Sequence, residues 1–213
     1  MKKQIRSVIA AIAAVVLLAV PAVAYASNQP TLNQTVNPGT LTADILQSDD
    51  VTPVASPAVA FPAKNVAFTC QTSAATLGDT SNKLNVTNLA TNNGWTLTMA
   101  ATGGATSKWT SGGNNYKFND ATGSGCTNGQ MTVDPSGATL TLDCNSACSS
   151  ASVTKGSSTA YVSGTTDTVT LATDSNGSAF EGYFTGIALS QKIPASQPAG
   201  SYALGMTITV TAQ

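Results

Sequence analysis

The chain has 213 residues, 9% of them charged, with nine Lys and Arg against ten Asp and Glu, no histidine and four cysteines. Without an imidazole there is no Ser-His-Asp or Cys-His catalysis and no zinc hydrolase site of the usual kind. A net charge of −1 with so few basic residues also argues against nucleic acid, which needs clustered Lys and Arg. An apolar fraction of 42%, with thirty-two threonines beside Val and Leu, is enough to build a β-rich core.

Residues 1–26 read as a secretory signal peptide. Lys2, Lys3 and Arg6 give a positive start, Val8–Val20 is an unbroken apolar run, Pro21 breaks it, and Ala24-Tyr25-Ala26 supplies a small-x-small cleavage pattern. A run of thirteen residues is short for a membrane span. The chain then turns polar at Ser27-Asn28-Gln29-Pro30, unlike a type IV pilin leader. Cutting after Ala26 leaves residues 27–213 as one domain with six Lys, ten acids and a net charge of −4. No transmembrane anchor is expected after that cut.

Past residue 30 the signals are those of strands. Asn82–Asn88 alternates with Leu84 and Val86 on one side, and Trp95–Ala101 places Trp95, Leu97 and Met99 on one face with threonines on the other. Gln130–Asp134, Ala138–Asp143, Thr168–Leu171 and Tyr202–Thr211 repeat this period of two. Turn clusters separate them, among them Asn92-Asn-Gly94, Ser111-Gly-Gly-Asn-Asn115 and Asp174-Ser-Asn-Gly177. Asp49–Pro62, with Pro53, Pro57 and Pro62, reads as an extended edge or loop. Short helical turns are allowed only near Thr106–Thr110 and Ser146–Ala151. The expected fold is all-β, an antiparallel β-sandwich of about eight to twelve strands, with a Gly-rich insertion from Gly103 to Gly129.

Export permits disulfides. Cys144 and Cys148 can close a small loop, which pairs Cys70 with Cys126. The carboxylates Asp49, Asp50, Asp120, Asp134, Asp143, Asp167, Asp174 and Glu181 are scattered at turns, and a facing pair for glycoside hydrolysis is not marked out. The stretch from Asn115 to Asp134 has Asp and Asn side chains for calcium but lacks the D-x-[DN]-x-[DN]-G loop, so neither a metal nor another cofactor is expected. In the Gly-rich insertion, Trp109, Asn114, Asn115 and Tyr116 combine rings with amides, the chemistry of a sugar contact; the alternative is that Trp109, Tyr116 and Phe118 fill the core.

Val86-Thr-Asn88 followed by Asn93-Gly-Trp-Thr-Leu-Thr-Met-Ala-Ala-Thr102 resembles the first W-x-L strand of WxL-type bacterial surface domains. The closing Ala199-Gly-Ser-Tyr-Ala-Leu-Gly-Met-Thr-Ile-Thr-Val-Thr211 is similar to that family's last strand, with Ile208-Thr209-Val210 standing where a second W-x-L would be. Pro38–Ile45 and Val59-Ala-Phe-Pro62 are similar to its opening. The resemblance implies an all-β module held non-covalently on peptidoglycan, with Trp95 and Leu97 as motif residues; their strand position fits burial as well as contact. Three functional classes follow: a non-catalytic wall-associated module whose partners are cell-wall glycan or other surface proteins, a structural subunit of a surface layer or β-rich fibre that self-associates, and a secreted carboxylate-based glycosidase. N-terminal sequencing of the exported protein should begin at Ser27; retention of residues 1–20 would refute the leader.

Overall fold

The computed structural model describes residue 34 and residues 39–90, 93–121, 126–144 and 148–213; the leader expected over residues 1–26 lies outside them. The strands are β1 (Leu41–Leu46), β2 (Gln71–Leu77), β3 (Lys83–Asn88), β4 (Trp95–Ala101), β5 (Lys108–Ser111), β6 (Asn114–Lys117) and β7 (Met131–Asp134). They continue with β8 (Thr139–Leu142), β9 (Val153–Lys155), β10 (Thr159–Ala160), β11 (Thr168–Asp174), β12 (Phe180–Thr185), β13 (Ile187–Ile193) and β14 (Met206–Ala212). Three four-stranded antiparallel sheets, ordered β1-β3-β12-β8, β10-β7-β13-β2 and β14-β4-β11-β9, are joined by the β5–β6 ribbon. The sheets pack against each other as an all-β sandwich.

The first two sheets are halves of one folded sheet. The consecutive pairs β2–β3, β7–β8 and β12–β13 each pass from one half to the other, and they keep the same neighbours on both sides of the fold. Strands that switch sheets at a bend are how orthogonal corners are made. Two of the crossings need glycine: Gly78 has φ 82° and Gly186 φ 81°, and Gly186 N donates to Gly78 O at 2.9 Å. The third crossing uses Pro135-Ser136-Gly137, where Asp134 Oδ1 accepts from Ser136 N at 3.0 Å and from Ser136 Oγ at 2.6 Å.

The third sheet covers this folded pair. Its strand β4 turns Trp95, Leu97 and Met99 inward, all under 4% exposed, and Trp95 meets Phe180 of β12 at 5.2 Å between ring centroids. Residues buried this completely contribute about 1.5–3 kcal/mol each. Tyr161, also buried, donates its hydroxyl to Met99 O at 2.8 Å, so a phenol in the core keeps a partner. The indole N–H of Trp95 has no acceptor among the described residues. Outward, the register aligns threonines in rows: Thr211–Thr96–Thr173–Thr154 across four strands and Thr209–Thr98–Thr170 across three. A β-bulge in β11 between Thr170 and Ala172 lets Thr170 and Thr173 share that outer face.

The alternation expected for β4, β7 and the C-terminal strand is present, whereas β3 is instead buried on both faces and β8 does not alternate in burial. Both disulfides form as the spacing indicates, Cys70–Cys126 and Cys144–Cys148. Several details differ. Among the described residues the strands number fourteen, exceeding the expected range, because the glycine corner splits long strands and because short pairs such as β5–β6 form. Within the Gly-rich insertion, residues 108–117 form a hairpin, and at Thr106–Thr110 the helical turn is a 3-10 turn at Gly104–Thr106 with β5 following. The last strand starts at Met206; before it, only Ala203 bridges, to Thr110. At Ser146–Ala151 the described residues, 148–151, are not helical. The outer face of β3 is covered as well, since Lys83 is 9% exposed with its ammonium paired to Asp50 and lying 4.5 Å from the centre of the Tyr183 ring.

A methyl group at Gly78 would stand 2.7 Å from Phe184 O, in a backbone conformation that side chains disfavour. Gly78→Ala should therefore lower the unfolding free energy by about 1–3 kcal/mol. Gly113→Ala, where nothing lies within 4 Å of the added methyl, should stay within about 0.5 kcal/mol by urea denaturation. Equal effects would show that the corner is not what constrains the sheet.

Candidate functional site

One end of β13 opens onto a cleft of about 170 Å³, walled by residues 61–67, the β5–β6 ribbon and the turn from Pro194 to Tyr202. The ribbon forms because Gly112, at φ 57°, turns the chain between two short strands. Its register sets Trp109 directly opposite Tyr116, and the two rings stack at 6.2 Å with a 15° interplanar angle. Phe61 meets Trp109 edge-on at 5.6 Å, and Tyr202 meets Tyr116 at 5.2 Å. Four rings from three distant parts of the sequence thus form one continuous chain.

Amides fix these rings. Gln191, 1% exposed on β13, accepts from Trp109 Nε1 at 2.9 Å and donates to Lys192 O at 2.7 Å. Gln197 Nε2 donates to the Tyr202 hydroxyl at 2.7 Å, which donates to Pro198 O at 2.9 Å. Gln71 Nε2 donates to Asn65 O at 2.6 Å and Ser73 Oγ to Pro62 O at 2.8 Å, pinning the residues that precede β2. The Cys70–Cys126 bridge lies beside them: Ala195 N donates to Cys126 O at 3.0 Å and Ser196 N to Ala67 O at 2.7 Å. Cys126 (φ 59°) and Ser196 (φ 57°) both hold left-handed conformations here. Backbone strain of this kind persists where surrounding structure over-determines it, and it gathers at binding sites.

Among the described residues the cleft lining holds one charged side chain, Lys64, and no carboxylate. Its chemistry is ring faces and amides, suited to a neutral ligand with C–H faces and hydroxyls. Of the residues marked in the sequence, Trp109 and Tyr116 are brought together in the cleft, Trp109 half-buried and Tyr116 only 8% exposed beneath its neighbours. Asn114 and Asn115 are exposed on β6 and do not line the cleft. Trp95 and Leu97 are wholly core. Phe61, Tyr202, Gln191 and Gln197 join the site unannounced by sequence: Tyr202 reads as the start of a strand, and a buried Gln leaves no pattern. From Asn115 to Asp134 the described carboxylates serve local structure, Asp120 pairing with Lys117 and Asp134 closing its turn. Among the described residues, no group of three or more Cys, Asp or Glu side chains is placed to hold a metal ion.

Compared with known protein families, with curated proteins and with solved structures, the chain has no match. Two disulfides fit an oxidising compartment, and no helix among the described residues is long and apolar enough to cross a membrane.

Burial, with a smaller contribution from Tyr202, pushes the Tyr116 phenol up to about 12, and burial raises Tyr161 as well. In the unfolded chain these phenols ionise near 10. A raised folded value means that the stabilisation is fully present below pH 10 and is lost as pH climbs toward 12. Urea midpoints should hold steady to about pH 9 and fall by about pH 11, with a smaller fall in Tyr116→Phe. An unchanged alkaline slope in that variant would show the phenol is solvated.

Proposed function

We propose that the chain is an exported, non-catalytic bacterial surface protein, a WxL-like module that associates non-covalently with the cell wall through the ring cleft. The observation that carries this is the array of Phe61, Trp109, Tyr116 and Tyr202 locked by Gln191 and Gln197. Neutral sugars present C–H faces to such rings and hydroxyls to such amides. The leader, the two disulfides and the Gly94-Trp95-Thr96-Leu97 strand support the same reading. The two segments that resemble the WxL family pair side by side, Leu97 opposite Val210 and Met99 opposite Ile208. A glycosidase would need facing acids, and the described residues of this cleft include none.

A second reading, a subunit of a surface layer or fibre, is favoured by β14. It is the end strand of its sheet, seven residues long, without a charge or a proline to guard the edge. Sedimentation with purified peptidoglycan sacculi separates the two. The wall reading expects the wild type in the pellet, little affected by salt, because a mature chain at −4 has few cations to offer wall polymers. Trp109→Ala should weaken that binding about tenfold, worth roughly 1.4 kcal/mol, while the protein still unfolds cooperatively. Protein that stays in the supernatant and forms ordered polymers by itself would replace the wall reading with the structural one.

A further inference from the structure

Behind Phe61 and Trp109 lies a second, larger cavity of about 330 Å³ that the wall reading does not use. It is a slot beneath residues 57–61, walled by Ile45, Leu77, Met99, Leu189, Met206 and Ile208. The slot runs from the Gly78 corner at one end to Trp109 and Tyr202 at the other. The slot is partly open and more apolar than polar, so its apolar wall is accessible to a guest without opening the core. The slot also reaches the size at which small-molecule sites begin, about 300 Å³. Three of its wall residues, Met99, Met131 and Met206, are the side chains that reshape most readily around an apolar guest.

The roof is tied by few hydrogen bonds. From Ala55 to Phe61 the strap forms no hydrogen bond to any described residue, its last tie being Val54 N to Ile45 O and its next the Ser73 hydroxyl on Pro62 O. It stays in place because Val59 and Phe61 pack on the core. Among the described residues the slot is lined by one side chain charged at neutral pH, Asp79 at the corner end, whose carboxylate accepts from Ser81 N at 2.6 Å and Asn82 N at 2.8 Å. Those bonds hold Asp79 below the usual carboxylate range, so a fixed negative charge sits where a head group would emerge.

We infer that this slot binds a single aliphatic chain of a neutral amphiphile, with its tail under the strap and its uncharged head beside Asp79 and Asn82. A fatty-acid carboxylate is selected against by like charge, and a long-chain alcohol is not. The inference stands apart from wall association, since it uses a different cavity. The test titrates the full chain with the neutral fluorescent probe N-phenyl-1-naphthylamine. Saturable enhancement at one probe per chain is expected, displaced by 1-dodecanol at concentrations about tenfold below those of dodecanoate. Leu189→Trp, which fills the slot from β13, should abolish the signal while thermal unfolding remains cooperative. Leu204→Trp, at a half-buried position outside the strands, gives the same readout should the first variant fail to fold. Unsaturable binding, equal binding in the filled variants, or equal displacement by alcohol and carboxylate would each overturn the inference. So would a signal that vanishes as the protein self-associates, which would make a second copy the occupant.

Discussion

The hydrogen bond from Gly186 N to Gly78 O sets the geometry on which the rest of the domain depends. It joins two glycines in left-handed conformations at the point where β2–β3 and β12–β13 leave one sheet for the other. On one side of it Phe184 and Leu84 face the core, and on the other Ile187 and Leu77 do. From Ile187 the period of two turns Leu189 and then Gln191 inward. At about 3.3 Å per residue, Gln191 lies some 13 Å from Ile187, which is where the core gives way to the ring cleft. The polar residue that anchors Trp109 is therefore placed by counting from the corner.

Low charge has a structural counterpart in the threonine rows. An outward β-branched residue keeps strand propensity high and offers a hydroxyl to water without an ion pair. Across β14, β4 and β11 these residues sit in register and form local bonds, such as Thr98 Oγ1 to Thr209 O at 3.3 Å. The acids meanwhile close turns: Asp49 accepts from Val51 N and Thr52 N, and Asp167 accepts from Gly164 N. Both effects leave rings and amides as the chemistry of the cleft.

Much of the fold was legible because a period of two survives in β4, β7 and β14, where one face packs on the core and the other carries threonine. The strands β12 and β13 were not read, although Phe180, Gly182 and Phe184 alternate and Ile187, Leu189 and Gln191 do too. Gly186 breaks the phase between the two runs, and a single-period reading loses both. In β2 the inward positions are Ser73, Ala75 and Leu77, too weakly apolar to signal a buried strand. The site was half visible. Trp109 and Tyr116 are near in sequence and meet through a hairpin, whereas Phe61 and Tyr202 arrive from either end of the chain by tertiary packing that no local pattern encodes.

The two cavities share the side chains that separate them. Phe61, Trp109 and Tyr202 line both. Trp109 is held by its bond to Gln191, and Tyr202 by Gln197 and Pro198, so neither ring is free to swing. Phe61 is different: it belongs to the strap, whose preceding residues lack hydrogen bonds to the described body, and it meets Trp109 edge-on, with only packing to hold it. A guest that lifts the strap displaces Phe61 from the ring cleft, and a ligand stacked against Phe61 holds the strap down. By thermodynamic reciprocity each would alter the other's affinity by the same factor, with a sign set by whether Phe61 is needed in place. One half-buried phenylalanine is thus the point through which the polar cleft and the apolar slot can sense each other.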